Sequence, residues 1–196
     1  MAKIKTAKNT SKRTTIIQKA AELFKEKSYA SASMRELADN LGVEAPSLYN
    51  HIGSKSELLE SICNSIGESF IQQLEEIAQS NEPTIKKIET IIRFHIRMMV
   101  NNFNEVYVAN HEWKQLTEPH LSNFLNIRRN YEKGLVQLVE KGIQEKICRD
   151  INPYVAVLTI LSAVRGLEFW QRNKKNISPQ LLEDEMVNHL LNGLIQ

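Results

Sequence analysis

Between Ser33 and Lys55 the sequence gathers small, polar and basic side chains at short spacing: Ser33, Arg35, Ala45, Pro46, Ser47, Tyr49, Asn50, His51 and Lys55. Each type has a use against a nucleic-acid duplex. The fork of Arg35 matches the O6 and N7 acceptors of guanine, the amide of Asn50 matches an adenine edge, and Ala45 and Pro46 can lie against thymine methyls. The hydroxyls of Ser33, Ser47 and Tyr49, the imidazole of His51 and the ammonium of Lys55 suit phosphate oxygens, contacts that position a protein without reading sequence. Rival uses stand beside these. Ser33 can act only as a helix cap, Arg35 can pair with Asp39 one turn on, Lys55 can be a solvated surface charge, and Tyr49 and His51 can pack in a core.

Short helices must hold such residues. Ser33-Met34-Arg35-Glu36 is a capping box, which predicts a helix that starts there and buries Met34, Leu37, Ala38 and Leu41. Gly42 can end it in a left-handed conformation, and Pro46 suits the first turn of a very short helix closing at His51. Helix, tight turn, helix is the helix-turn-helix spacing. Upstream, Ile16, Ile17, Ala20, Ala21, Leu23 and Phe24 recur at threes and fours and predict a helix from about Thr14 to Lys27. Downstream, a long helix from Ser56 carries Leu58, Leu59, Ile62, Cys63, Ile66, Phe70, Leu74 and Ile77. Start signals at Thr117-Glu118-Pro119, Asn152-Pro153 and Ser178-Pro179 help place further helices at about 84–100, 103–116, 119–143, 153–172 and 179–194. No long stretch alternates apolar with polar and no hairpin dipeptide occurs, so the expected class is all-α. The expected domains are a flexible basic arm at 1–12, a helix-turn-helix domain at 13–58 and a helical domain at 59–196.

Composition narrows the function classes. The 196 residues are 42% hydrophobic and 24% charged, with seven glycines and five prolines, which argues for an ordered chain able to bury a core. The net charge of +2 is unevenly placed: residues 1–58 carry ten basic and six acidic side chains, and the remainder fifteen and seventeen. Lys3, Lys5, Lys8, Lys12 and Arg13 precede the first acidic residue, Glu22, and can serve a polyanion or simply a solvated tail. Two distant cysteines, Cys63 and Cys148, fit a reducing compartment, so the cytoplasm is the default. No targeting segment is expected, and the densest apolar stretch, Val155 to Val164, is about half of the roughly 20 residues a membrane span needs. No catalytic constellation or phosphate-cradling loop is found, and His95, His111 and His120 are too scattered to suggest a metal site. Neither an enzyme, a cofactor nor a metal is therefore expected.

Ser33-Met34-Arg35-Glu36-Leu37-Ala38, Leu41-Gly42-Val43, Ser47-Leu48-Tyr49 and Ser54-Lys55-Ser56-Glu57-Leu58-Leu59 together resemble the tetracycline-repressor (TetR) family across about fifty residues, and Phe24 and Tyr29 fit the family's first helix. The resemblance implies a homodimeric transcription repressor that binds operator DNA through its N-terminal three-helix domain and a small inducer through its C-terminal helices. The chain departs from the family at Ala32, where Thr or Ser is usual, at Ile52, usually aromatic, and near Ser28, where a glycine is usual.

The C-terminal part, through Arg128-(x)2-Tyr131-Glu132, residues 142–147 before Asp150, and Gly166-(x)3-Trp170 preceding Ile177-Ser178-Pro179, looks like the subgroup that represses fatty-acid or steroid breakdown and senses acyl-CoA thioesters. That resemblance makes Arg165, Trp170 and Arg172 candidates for a ligand's polar part, with Ile92, His95, Met99, Tyr107, Trp113 and Phe124 lining an apolar tunnel. Any one of these is also an ordinary core residue. The helices at 153–172 and 179–194 are apolar over more surface than one domain core covers, which predicts a four-helix interface with a second copy. Ligand would then change the spacing of the two DNA-reading helices through the long helix from Ser56 to about Ile77. The alternative is a DNA-binding protein of this fold without an inducer, acting architecturally or through a protein partner.

Overall fold

The computed structural model describes residues 2–173 and 177–195, with side chains described for 12–172 and 177–195. The described chain is helical, with α1 (Ala2–Lys27), α2 (Met34–Leu41), α3 (Ala45–Tyr49), α4 (Lys55–Gln79), α5 (Thr84–Asn101), α6 (Phe103–His111), α7 (His120–Gln144), α8 (Pro153–Arg165), α9 (Leu167–Asn173) and α10 (Pro179–Leu194). It divides into two compact units, Met1–Gly67 with Asn104–Leu125, and Glu68–Phe103 with Asn126–Gln196. The division falls inside α4 and not near Leu58.

The first unit is built on one apolar cluster. Ile16, Ala20 and Phe24 from α1, Leu37 and Ala38 from α2, Leu48 from α3, Leu58 and Ile62 from α4, Val108 from α6 and Phe124 from α7 are all buried in it. The caps follow sequence logic. The Ser33 hydroxyl accepts from the Glu36 amide while Glu36 accepts from the Ser33 amide, the reciprocal pair expected of a capping box. Gly42, at φ +65°, sends its amide back to α2 in the left-handed conformation that an L side chain resists.

In the second unit α5 packs against α8, α9 and α10, burying Ile88, Ile91, Ile92, Ile96 and Met99. Arg93 and Arg97 of α5 reach Glu183 of α10 at 3.0 and 2.8 Å, and Arg93 also holds Asp184 at 2.7 Å. Burial opposes ionisation of Glu183, but the two guanidiniums outweigh it and hold its carboxyl below the usual range. Asn152 and Ser178 cap α8 and α10 as their Asn-Pro and Ser-Pro pairs predict.

Three boundaries differ from expectation. The first helix starts at Ala2, so residues 2–12, expected as a flexible arm, belong to α1; the side chains of Lys3, Lys5 and Lys8 lie outside the described residues. The helix expected at 153–172 is split at Gly166, the residue with the least helical preference in the interior of that stretch. The one expected at 103–116 stops at His111 and continues as a single 3-10 turn, Trp113–Gln115.

Candidate nucleic-acid interface

α3 is anchored by Leu48, buried in the first unit's core, with Ala45 packed against the same cluster, so the remaining residues of a five-residue helix must face outward. Pro46, Ser47 and Asn50 are exposed, Ala45 and His51 are half-buried, and Tyr49 is 50% exposed. An aromatic ring so open to water is not serving the core. Ile52, where the family usually has an aromatic, is buried beneath α3 and completes that packing.

The side chains expected on phosphates and bases divide into two groups. Arg35 is exposed on α2, and among the described residues no ion pair joins it to Asp39. With Pro46, Ser47, Tyr49 and Asn50 it forms the outward set. Ser33 and Lys55 have duties at home. The Ser33 hydroxyl donates to the Glu36 carboxylate at 3.0 Å in addition to accepting from its amide. Lys55 Nζ donates to the carbonyls of Tyr29 and Ala32 at 2.8 Å each and approaches that of Ala30 at 3.4 Å, over the Tyr29 ring at 4.5 Å. An ammonium has three protons, and three carbonyl oxygens of its own chain lie within their reach. The loop it ties leaves α1 through Ser28, at φ +71°, in the conformation that explains the family's glycine nearby. Arg13 is likewise held, by Glu57 and Ser61 at 3.1 Å each, whereas Lys12 is exposed.

The residues expected on a ligand are not all brought together. Ile92 and His95 line a cavity of about 20 Å³ with Ile88, Ile91, Leu135, Leu138, Val139, Val157 and Ile160, a set drawn from α5, α7 and α8. Met99, buried one turn further along α5, has its carbonyl held by Gln171 Nε2. The Trp170 indole N–H is buried with no hydrogen-bond partner among the described residues. Arg165 and Arg172 are exposed. Tyr107, Trp113 and Phe124 belong to the first unit, where Phe124 is core, Trp113 packs on it and Tyr107 lies against His111.

Two aromatic side chains not expected at a ligand site, Tyr131 and Phe70, stand beside His95. Tyr131 Oη meets His95 Nε2 at 2.8 Å, and the Phe70 ring lies 4.8 Å from the His95 ring and 5.4 Å from that of Tyr131. Burial drives the His95 imidazole down to about 3 and raises the Tyr131 phenol, so the pair is neutral at physiological pH. A tyrosine on the same face of α7 as Leu135 and Leu138 was the available sign.

The sequence pattern described as bacterial regulatory proteins, tetR family, matches residues 16–62, and that described as tetracyclin repressor-like, C-terminal domain, matches 81–194. The second alone spans more than half of the chain. The chain belongs to the TetR family. As a TetR-type DNA-binding regulator it resembles the HTH-type transcriptional repressor KstR2 of Mycobacterium tuberculosis (strain CDC 1551 / Oshkosh), 21% identical over 136 residues, 69% of this chain and 68% of that protein. Its fold matches the structure of the ketosteroid transcriptional regulator KstR2 of M. tuberculosis, with a TM-score of 0.86, 19% identity and coverage of 94% and 95% of the two chains. It also matches AibR in complex with isovaleryl coenzyme A and operator DNA, with a TM-score of 0.78, 23% identity and coverage of 91% and 97%. In this TetR chain, then, the outward set on α2 and α3 is the candidate DNA-reading surface.

Proposed function

We propose that the chain represses transcription as a homodimer, with α3 of each copy in a major groove, and leaves its operator when a small, largely apolar effector enters between α5, α7 and α8. The observation that carries this is the continuity of α4. It opens beside the DNA-reading surface at Lys55, and its later turns bring Phe70 against His95 and Tyr131 at the cavity. A ligand that moves this ring cluster acts on the helix that also supports α3 through Leu58 and Ile62.

Two further features support the reading. Tyr154, Val155 and Leu158 on α8 and Leu181 on α10 are each at least half exposed, which suits a face covered by a second copy and two half-sites about 34–36 Å apart. AibR, of the same fold, forms a complex with isovaleryl coenzyme A and operator DNA, and an acyl-CoA thioester is the effector class we assign here, with exposed Arg165 and Arg172 taking its charged part.

The test begins with an operator duplex selected from random sequence, followed by anisotropy titration with a panel of acyl-CoA thioesters. One member should weaken operator binding by about 5 to 150-fold, and operator should weaken that thioester by the same factor, because the coupling is reciprocal. A thioester that binds tightly and leaves operator affinity unchanged overturns the scheme. Phe70→Ala should keep operator affinity in the absence of effector and reduce the factor by which the thioester weakens it.

A further inference from the structure

The cavity between α5, α7 and α8 has nine lining residues, of which eight are Ile, Leu or Val and one, His95, is polar. Its polarity is partly used. A neutral imidazole carries one N–H and a phenol one O–H, and the bond between His95 Nε2 and Tyr131 Oη consumes one of the two. If the phenol donates, the remaining proton sits on His95 Nδ1; if the imidazole donates, it stays on Tyr131 Oη. Either way the pair keeps one donor. Phe70 and Phe94 crowd the two rings, with centroids at 4.8 and 6.4 Å from His95, and neither offers an acceptor oxygen. Of the pair, His95 is the one that lines the cavity, so the tautomer with the proton on its Nδ1 is the one that can serve a group entering there.

We propose that this remaining donor is the anchor for an uncharged acceptor oxygen on the effector, a ketone, ester or thioester carbonyl set in an otherwise apolar body. The inference rests on the effector-sensing reading above and narrows its ligand class. A carboxylate would arrive with no counter-charge, because burial keeps the imidazole neutral, and a pure hydrocarbon would leave the donor unmatched. The cavity, at about 20 Å³, has room for roughly one water-sized group, so a larger body must part the side chains of Ile88, Leu135 and Leu138. That displacement bears on α5 and α7 at once.

A matched pair of probes, cyclohexanone and methylenecyclohexane, differs only in C=O against C=CH2. Added to the full chain with ¹⁵N-labelled histidine, the ketone should shift the His95 ring resonances and bind at least tenfold tighter than the alkene. Tyr131→Phe and His95→Phe each leave the other partner's proton free, so it is the two substitutions together, which keep rings in place and remove both donors, that should abolish that preference. Equal binding of the two probes, binding of neither, or a preference that survives both substitutions overturns the anchor. The sensing reading is scored separately by operator anisotropy. A ketone preference without operator release sinks the sensing reading and leaves the anchor, while operator release by a ligand indifferent to the double variant sinks the anchor alone.

Discussion

Replacing Lys55 by methionine keeps the aliphatic stem and removes the ammonium that ties together the carbonyls of Tyr29 and Ala32. A phosphate contact contributes close to one unit of slope in the logarithm of affinity against that of salt. Because the Lys55 protons already face carbonyls of its own chain, Lys55→Met should leave that slope unchanged in an anisotropy series and instead lower stability by about 1 kcal/mol, the net worth of hydrogen bonds to part-buried acceptors. Tyr49→Phe should do the opposite. Its exposed hydroxyl holds nothing up, so melting should be unaffected while binding weakens about fivefold on all duplexes alike, from one lost hydrogen bond. A loss confined to operator sequence would mean that Tyr49 reads bases. His95 sets a pH response whose sign is fixed by its depression from 6.5 to about 3. Between those values the unfolded chain binds a proton that the folded one refuses, so stability falls as pH falls through the window, by up to roughly tenfold in the folding equilibrium per unit. Glu183, whose carboxyl is held low, contributes in the same direction. Denaturant melts of His95→Phe should therefore show a flatter acid limb than the parent; an identical limb would place the sensitivity elsewhere.

Among the helices, the turn at Gly42 is the place where one atom matters most. A Cβ built there meets nothing within 4 Å, so Gly42→Ala isolates the cost of a left-handed L residue, about 1–2 kcal/mol, readable as a lower midpoint in denaturant with the slope unchanged. This turn and the capping box before it were legible in the sequence because both depend on neighbours two to four residues away. The same holds for the Asn152 and Ser178 caps. The split at Gly166 was not, since a mid-helix glycine is often tolerated and the packing of α9 on α5 decides the matter. At the site, the outward set on α3 could be read from Leu48 alone, but the ties on Lys55 could not. Its carbonyl partners sit 23 to 26 residues earlier, and backbone oxygens leave no trace in side-chain identity. The ligand residues failed in a related way. Apolar stripes say that a residue is buried and not which core receives it, so Phe124 and Ile92 looked alike and lie in different units.

For the molecule as a whole, reading two half-sites requires two copies. Leu158, 51% exposed on α8, contributes little to the core of its own chain, and Leu158→Glu should yield a folded monomer by sedimentation that has lost most of its operator affinity. A dimer that persists would move the interface to another face. The uninterrupted run of α4 from Lys55 to Gln79 has one more consequence. In a helix, length and rotation are the same variable, and one inserted residue turns everything beyond it through about 100°. Between Phe70 and the buried Ile77, both within the second unit, the chain should therefore accept many exchanges of residue but few changes of count. A single added alanine would swing Ile77 out of the core while Phe70 keeps its ring partners, and four would bring it nearly back into phase one turn farther on.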